Sequence, residues 1–343
     1  MPKHLYIHIP FCKSICTYCD FKRFVCNKKD INEYTTKIIS EINKKYKDCK
    51  FESIYIGGGT PNYLDDQTLS SLLSTLSKLQ GKNCEFTIEC NPEFVTQNQS
   101  AILKTHGVNR ISLGVQTVNN KILSKYNRHH TKKDVIKAIK FLRANNIENI
   151  SVDFMYGFNE TSLSDLKKDI VFLKKYKIPH CSFYSLEIKS GSVLNKQNYK
   201  LDEDKVQEQL EYIVDHMPLN RYEVSSWAID KQHESIHNKA YWETRDWIGL
   251  GLGAFGFENK IYYQNIGSIK KWTKKTTKYT QKDLYLQIIM MGLRLKEGID
   301  LSVPLNKKAY LHFKKQLKYT TIKNNRLLCN NINLLDNTLI ELI

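Results

Sequence analysis

Short apolar runs alternate with longer amphipathic segments along the first half of the chain. Each run is rich in Ile, Val, Tyr and Phe, and its length is typical of a β-strand that is buried in a sheet. The six predicted strands cover residues 4–9, 53–56, 85–90, 110–115, 150–154 and 181–186.

The segments between these runs place apolar residues at every third or fourth position, as at Leu69 and Leu73. This spacing predicts helices, with Asp65 and either Ser162 or Ser164 as helix caps. The predicted helices include residues 31–47, 65–79, 131–146 and 161–176. Alternating strands and helices indicate an α/β fold with a parallel sheet and crossover helices. Periodicity alone fits a partial barrel and an open doubly wound sheet equally well.

Side chains that can do chemistry follow several of the predicted strands. They are the cysteines between residues 12 and 19, the glycines at 57–59, and Glu89, Gln116 and Asp153. Because the carboxyl ends of parallel strands meet at one edge of the sheet, we expect these residues to share one ligand site.

Charge is the first feature of composition that bears on function. The net charge is +17, but 44 of the 52 basic residues are Lys and few are Arg. Nucleic-acid sites favour Arg forks with interleaved aromatic rings, so we expect the lysines to lie on solvated surface. A lysine-rich nucleic-acid-binding module is kept as an alternative function, although nucleic acid is an unlikely partner.

The chain contains no apolar run near the ~20 residues of a membrane span. Its first residues lead directly into a strand, without the apolar core of a signal peptide. We therefore expect a cytoplasmic protein with reduced thiols.

Three cysteines, Cys12, Cys16 and Cys19, form a CxxxCxxC pattern, whereas the other six are scattered. Three thiolates this close can hold one compact metal centre. A structural zinc ion needs a fourth ligand, for which Cys26 or His8 is available. A cluster of four irons normally takes four thiolates, so three would leave one iron open for another ligand. Most of the scattered cysteines are expected to be core or surface thiols.

The motifs around this triplet resemble those of the radical S-adenosylmethionine (SAM) superfamily, and within it the HemN/HemW group. Their order and spacing resemble that group over about residues 4–260. They are YIHIPFC at 6–12, GGGTP at 57–61, ECNPE at 89–93, RISLGVQ at 110–116 and DFMYG at 153–157.

The resemblance implies a partial (β/α)6 radical SAM barrel with a small, mainly helical C-terminal region. It also implies a [4Fe–4S] cluster on Cys12, Cys16 and Cys19, whose open iron takes the amino and carboxylate groups of SAM. The residues implied to bind SAM, or to pack beside it and the cluster, are Tyr6, Tyr18, Gly58, Gly59, Thr60, Glu89, Gln116, Arg128 and Asp153.

The resemblance also predicts three parts of the chain. Residues 1–200 form the partial barrel. Residues 201–280 form an extension that completes it and carries the sequence HNxxYW at 237–242. Residues 281–343 form a short HemN-like C-terminal domain.

Members of this group have two different activities. HemN-like enzymes decarboxylate coproporphyrinogen III oxidatively and carry a fourth cysteine two residues after the third. In this chain that position is Phe21, and the first cysteine is already residue 12, without the long N-terminal extension of the enzymes. Both features, and the HNxxYW element, favour the HemW-like heme chaperones. A radical SAM oxidoreductase acting on a porphyrinogen is the alternative.

Heme and a heme-accepting client protein are therefore the expected cargo and partner, and a homodimer is left open. A neutral imidazole is a good ligand for heme iron, which makes His237 a candidate heme ligand. Tyr241 and Trp242 could stack on a porphyrin face. The competing interpretation is that His237 and Asn238 bridge a loop while Trp242 lies in the core.

The chain departs from the group in one glycine-rich stretch. The group has a GPGAHS-like sequence where this chain has GLGAFG at 251–256, so a Pro and a His are missing. We expect that wall of the site to have lost a polar group. The neighbouring pair His129 and His130 is predicted to lie on the surface.

Overall fold

The computed structural model describes residues 1–342 and confirms the α/β fold. Six parallel strands form the centre of the sheet. They are β1 (His4–Ile9), β2 (Phe51–Gly58), β3 (Gln80–Cys90), β4 (Arg110–Gln116), β5 (Ile150–Tyr156) and β6 (His180–Ser185). The helices between them are α1 (Lys28–Lys45), α2 (Asp66–Ser77), α3 (Gln97–Thr105), α4 (Asn120–Lys125), α5 (Lys132–Ala144) and α6 (Leu163–Lys175).

The rest of the chain adds shorter elements. They are α7 (Val193–Lys196), α8 (Glu203–His216), β7 (Asn220–Arg221), β8 (Ser226–Ala228), α9 (Ile236–Trp242), β9 (Trp247–Leu250), β10 (Phe255–Glu258), β11 (Ile261–Gly267), β12 (Trp272–Lys278), α10 (Gln281–Gly292), β13 (Ile299–Asp300), α11 (Pro304–Phe313), β14 (Thr320–Lys323), β15 (Arg326–Cys329) and α12 (Leu335–Ile340). The helix caps expected at Asp65 and Ser162 are confirmed, and Ser162 forms a capping box with Asp165.

Twelve strands form one sheet, in the order β12-β11-β10-β9-β1-β2-β3-β4-β5-β6-β8-β7. Within residues 1–342, β12 and β7 each have a neighbour on one side only, so the sheet stays open as a partial barrel does. Strand β9 pairs in parallel with β1, whereas β10, β11 and β12 continue in antiparallel fashion. The sequence pattern did not predict this antiparallel extension.

The two faces of the parallel strands differ in polarity because side chains alternate along a strand. One face carries residues such as Ile7, Ile56, Ile88 and Leu113, which are fully buried against the flanking helices. The opposite face is polar. The strand register places on it His4, Tyr6, Ser53, Tyr55, Glu85, Thr87, Glu89, Arg110, Ser112, Ser151, Asp153, His180 and Ser182. This polar face lines the inside of the partial barrel.

A second hydrophobic core lies under the C-terminal region. Leu284 and Ile288 of α10 pack there with Trp247 of β9 and Phe257 of β10. Helix α11 contributes Phe313, and a three-stranded sheet in the order β13-β15-β14 completes this region. The helices were expected, but the small sheet was not. Among the residues that the structure describes, no helix is long and apolar enough to span a membrane.

One carboxyl group is buried completely on the helical side of the sheet. Asp169 of α6 accepts hydrogen bonds from the Val118 amide at 2.7 Å and the Thr117 hydroxyl at 3.2 Å. Its second oxygen has no partner within residues 1–342. Burial therefore raises the pKa of Asp169 to about 8, although both hydrogen bonds oppose this shift.

This pKa predicts a pH-dependent cost to stability. In the folded protein the carboxyl keeps its proton up to about pH 8, whereas in the unfolded chain it releases the proton near pH 3.8. The free energy of unfolding therefore falls as pH rises between these two values. Asp169→Asn removes this titration. We expect it to raise the free energy of unfolding at pH 8 by roughly 1–3 kcal/mol in urea unfolding, and by less at pH 5.

Asp165 on the same helix is the matched control. Burial would raise the pKa of Asp165, but hydrogen bonds from Ser162 outweigh it and lower the pKa. Asp165→Asn should therefore destabilise the protein at pH 8. Destabilisation by Asp169→Asn at pH 8 would contradict the assignment of a neutral, buried carboxyl.

Candidate cluster and cofactor site

A cavity of about 420 Å³ opens at the carboxyl ends of the parallel strands. It brings together eleven of the thirteen residues expected to hold the cluster, to bind or flank SAM, or to ligate heme. The predicted residues that line it are Cys12, Cys16, Cys19, Tyr18, Gly58, Gly59, Thr60, Glu89, Gln116, Arg128 and Asp153. Tyr6 and His237 are absent from its lining and lie behind its wall.

The three cysteines lie on the loop that follows β1. The Cys12 amide donates to the Phe24 carbonyl at 3.0 Å, and the Cys19 amide donates to the Cys16 carbonyl at 3.2 Å. The Arg23 guanidinium also donates to the Cys19 carbonyl. These bonds close the loop on itself, so the three thiols face one space. All nine cysteines of the chain are free thiols.

The chemistry of the donor set suits an iron–sulfur cluster, because three thiolates can each bind one iron, whereas a structural zinc ion needs a fourth ligand. Within residues 1–342, no three side chains of Cys, His, Asp or Glu converge tightly enough to hold a single ion. In a [4Fe–4S] cluster each thiolate binds its own iron, so the sulfurs stand further apart. His8 is also unsuited as a fourth zinc ligand, because its Nε2 contacts the Lys22 carbonyl at 2.8 Å and its Nδ1 contacts the Tyr6 hydroxyl at 3.0 Å.

The glycine loop after β2 passes close to the cysteine loop. A Cβ atom on Gly59 would lie 2.7 Å from the Phe11 carbonyl oxygen and 2.9 Å from Cys12 Sγ. Gly58 has φ +120°, a conformation that disfavours side chains, and a Cβ there would meet the His8 ring at 2.7 Å. The backbone can approach Cys12 at Gly59, and His8 at Gly58, this closely only because these two residues are glycines.

Glu89 holds this glycine loop in place from β3. Its Oε2 accepts the Gly58 amide at 3.0 Å, and its Oε1 accepts the Tyr55 hydroxyl at 2.9 Å. Burial raises the pKa of Glu89 to about 7, although both hydrogen bonds oppose the shift. The carboxyl is therefore able to exchange a proton near neutral pH and to accept from a hydroxyl or amino group of a ligand.

Arg128 reaches the cavity from the segment after α4. Its Nη2 donates to the Gly114 carbonyl at 2.6 Å and to Asn91 Oδ1 at 3.2 Å, and its Nη1 lies 3.6 Å from Cys16 Sγ. Burial raises the pKa of Cys12, and the positive charge of Arg128 opposes this rise. The guanidinium Nε has no partner within residues 1–342.

Three further polar atoms of the residues that line the cavity are buried without a partner in the described chain. They are Gln116 Oε1, Glu93 Oε2 and Arg23 Nε. Gln116 also has φ +59°, a left-handed conformation that is uncommon for a residue with a side chain. Since buried polar atoms normally have partners, these atoms and Arg128 Nε indicate that the cavity is built for a polar ligand.

Asp153 forms the far wall, on β5. Its two oxygens accept the hydroxyls of Ser112 and Ser151, the latter at 3.1 Å. Burial raises the pKa of Asp153, and the two serine hydroxyls oppose this rise. Tyr18 lines another side, with its ring packed edge-on against Phe158 at a centroid distance of 5.8 Å.

His237 and Tyr6 belong to a layer of rings beneath the cavity. His237 is 1% exposed, and its Nδ1 and Nε2 lie 2.7 Å from the Ser53 and Tyr241 hydroxyls respectively. Both ring nitrogens are thus engaged, and the pKa of His237 is lowered to about 3 by burial and by the charge of His4. Ligation of heme iron would require one of these hydrogen bonds to break, so the role of His237 as heme ligand stays a prediction.

The two aromatic residues of the HNxxYW element, Tyr241 and Trp242, do not line this cavity. Tyr241 packs edge-on against Trp247 at 4.8 Å. Trp242 lines a second cavity of about 400 Å³ between α9 and the C-terminal region. The charged side chains around that cavity are paired with one another, as Arg326 is with Glu297.

The structure adds residues that the sequence did not single out and corrects one prediction. Tyr55 falls within the predicted apolar strand at 53–56, yet it lines the cavity and its hydroxyl donates a hydrogen bond to Glu89. The pair at 129–130 was predicted to lie on the surface, and this is wrong for His130. That side chain is 2% exposed, with Nε2 bound to the Val115 carbonyl at 3.0 Å. His129 is exposed, as predicted.

Comparisons with known proteins agree with this geometry. The radical SAM superfamily matches residues 6–173. The heme chaperone HemW of Lactococcus lactis is 34% identical over 87% of this chain and 83% of its own length, and that of Bacillus subtilis is 31% identical over 87% and 84%. Coproporphyrinogen III oxidase HemN from Escherichia coli has a similar fold, with a TM-score of 0.81 at 17% identity over 99% of this chain and 90% of its own. This chain therefore belongs to the HemW family of the radical SAM superfamily.

Proposed function

We propose that this protein is a heme chaperone that binds a [4Fe–4S] cluster and SAM, binds heme and transfers it to an acceptor protein. The observation that carries the proposal is a cavity lined by Cys12, Cys16 and Cys19, with Phe21 and not a cysteine two residues after the third, in a chain whose relatives at 34% and 31% identity are named heme chaperones. Phe21 occupies the position of the fourth cysteine of the enzymes and is 64% exposed at the mouth of the cavity.

Cys12, Cys16 and Cys19 would hold the cluster in this proposal. When bound and reduced, a [4Fe–4S] cluster supplies an electron to SAM. The guanidinium of Arg128 lies 3.6 Å from Cys16 Sγ, and it is also able to pair with a carboxylate.

The remaining polar wall would hold SAM. The backbone at Gly58 and Gly59 can approach the methionine part, and Thr60 adds a hydroxyl. Glu89 and Asp153 would accept hydrogen bonds from the amino group or the ribose. Gln116 would contribute the carbonyl oxygen that has no partner within residues 1–342.

A radical oxidoreductase that acts on a porphyrinogen is the competing function. The overall similarity to HemN concerns the fold, and the cavity beside the thiols has room for SAM chemistry. The two functions differ in what happens to SAM, so they are separated by measuring its products. The proposal also includes a client protein that accepts the heme.

The cluster is tested by anaerobic reconstitution followed by iron and sulfide analysis. We expect about four irons and four sulfides per chain for the wild type, and less than about half of this for Cys16→Ala, because one iron loses its thiolate. Cys26→Ala is the matched control and should retain the wild-type content. A full cluster in Cys16→Ala would contradict the ligand assignment, and loss of metal in Cys26→Ala would favour the four-ligand zinc site.

The choice between carrier and enzyme is tested by a SAM-cleavage assay on the reconstituted protein, with and without heme and porphyrinogen. A carrier should form 5′-deoxyadenosine slowly and independently of porphyrinogen. Porphyrinogen consumption in proportion to 5′-deoxyadenosine would establish the oxidoreductase instead.

Heme binding is tested by titration followed in the visible spectrum, on wild type, His237→Ala and His312→Ala. Exposed His312 of α11 serves as the control and should bind heme as the wild type does. If His237 is the ligand, His237→Ala should shift the spectrum and weaken binding about tenfold or more. Unchanged affinity and spectrum would remove His237 as ligand, and absence of heme binding by the wild type would contradict the chaperone function.

A further inference from the structure

His237 lies deep inside the partial barrel and is held there from two directions. Its ring nitrogens contact Ser53 of β2 and Tyr241 of α9, each at 2.7 Å. Ser53 Oγ in turn lies 2.9 Å from His4 Nδ1 on β1. The ring therefore has a fixed orientation, set by groups from two strands and one helix.

Helix α9, which carries His237, is itself anchored to β3. Glu85 accepts the backbone amides of Ile236 and His237, each at 2.9 Å, and the Ser235 hydroxyl contacts it at 3.4 Å. Arg110 lies 4.0 Å from the same carboxylate. Glu85 and Arg110 are both nearly fully buried, so this anchor has no competition from water.

Tyr55 connects His237 to the cavity. The Tyr55 ring stacks on the His237 ring with centroids 5.0 Å apart and planes at 26°. Tyr6 joins the group, at 6.0 Å from the Tyr55 ring and 6.4 Å from the His237 ring. The three rings thus form one packed cluster under the cavity wall.

The hydroxyl of Tyr55 links this ring cluster to the glycine loop through the carboxyl group of Glu89. It donates to Glu89 Oε1 at 2.9 Å, and Glu89 Oε2 accepts the Gly58 amide at 3.0 Å. A change in the tilt of the Tyr55 ring would therefore move or release Glu89. A released Glu89 would no longer fix the loop at Gly58.

We propose that His237 is a positioning residue of the SAM site, which acts through Tyr55 on Glu89 and the glycine loop. The proposal rests on the proposed binding of SAM at Glu89. It gives the HNxxYW helix a role on the SAM side of the barrel, independent of whether His237 ever ligates heme.

An uncharged His237 suits this role. The pKa of His237 is lowered to about 3 by burial first and by the nearby His4 second. The ring is therefore neutral at physiological pH and can stack against Tyr55 without a desolvated charge. Residues that face it from the packed elements are His4, Tyr6, Ser53, Tyr55 and Tyr241.

The test is calorimetric titration of SAM into the full-length, anaerobically reconstituted protein at matched iron content. We expect His237→Ala and Tyr55→Phe each to raise the Kd for SAM about tenfold, and the double variant to be no worse than about the weaker-binding single variant. A double variant no worse than the single variants is the result expected when His237 acts through Tyr55. Ile236→Ala, which changes an exposed neighbour on the same helix, should bind SAM as the wild type does.

His237→Asn provides a second variant if His237→Ala fails to fold, because it keeps a polar group and removes the ring. A folded His237 variant with wild-type iron content and unchanged Kd for SAM would overturn the proposal. Fully additive effects in the double variant would also overturn it. If the wild type itself fails to bind SAM, the proposed function is wrong, which is a different result from an unaffected variant.

Discussion

The polar inner face of the parallel strands is the constraint on which the rest of this structure depends. Strand geometry sends every second side chain into the partial barrel, and in this chain those side chains include buried carboxylates, imidazoles and a guanidinium. Burying such groups is costly unless each finds a partner. The inside of the barrel must therefore be a connected hydrogen-bond network. This network fixes the position of each part of the site.

Strand β3 contributes a carboxyl group to two different parts of this network. Glu85 at its lower part binds α9, and Glu89, four residues later on the same face, binds Tyr55 and Gly58. One strand thus fixes both the helix that closes the barrel and the loop that approaches the thiols. The two carboxylates differ in surroundings: Glu85 has Arg110 beside it, whereas Glu89 has neutral donors and a raised pKa. The raised pKa of Glu89, about 7, suits it to exchange a proton with a ligand.

Much of this could be predicted from the sequence, because the decisive signals are local. Apolar runs identified the six strands, and the rule that parallel strands end at one edge brought Cys12, Glu89 and Asp153 to one cavity. The contacts between Glu85 and α9 join residues about 150 positions apart, and no local pattern contains them. Tyr55 looked like a strand aromatic because its hydroxyl partner lies on the next strand. The burial of His130 has no local signal in the sequence, because it depends on tertiary packing against Val115 at the end of β4.

Part of the positive charge of the chain also has a structural role at the edge of the sheet. An open sheet exposes unpaired backbone groups at its two ends, and such edges invite pairing with other chains. Strand β7 has only two residues, whereas β12 has seven, of which all but Trp272 are exposed. Lys274, Lys275 and Lys278 lie along β12, and charged residues on an edge strand oppose pairing with another strand. Part of the lysine excess therefore protects the long edge that the antiparallel extension creates, and this part needs no nucleic-acid partner to explain it.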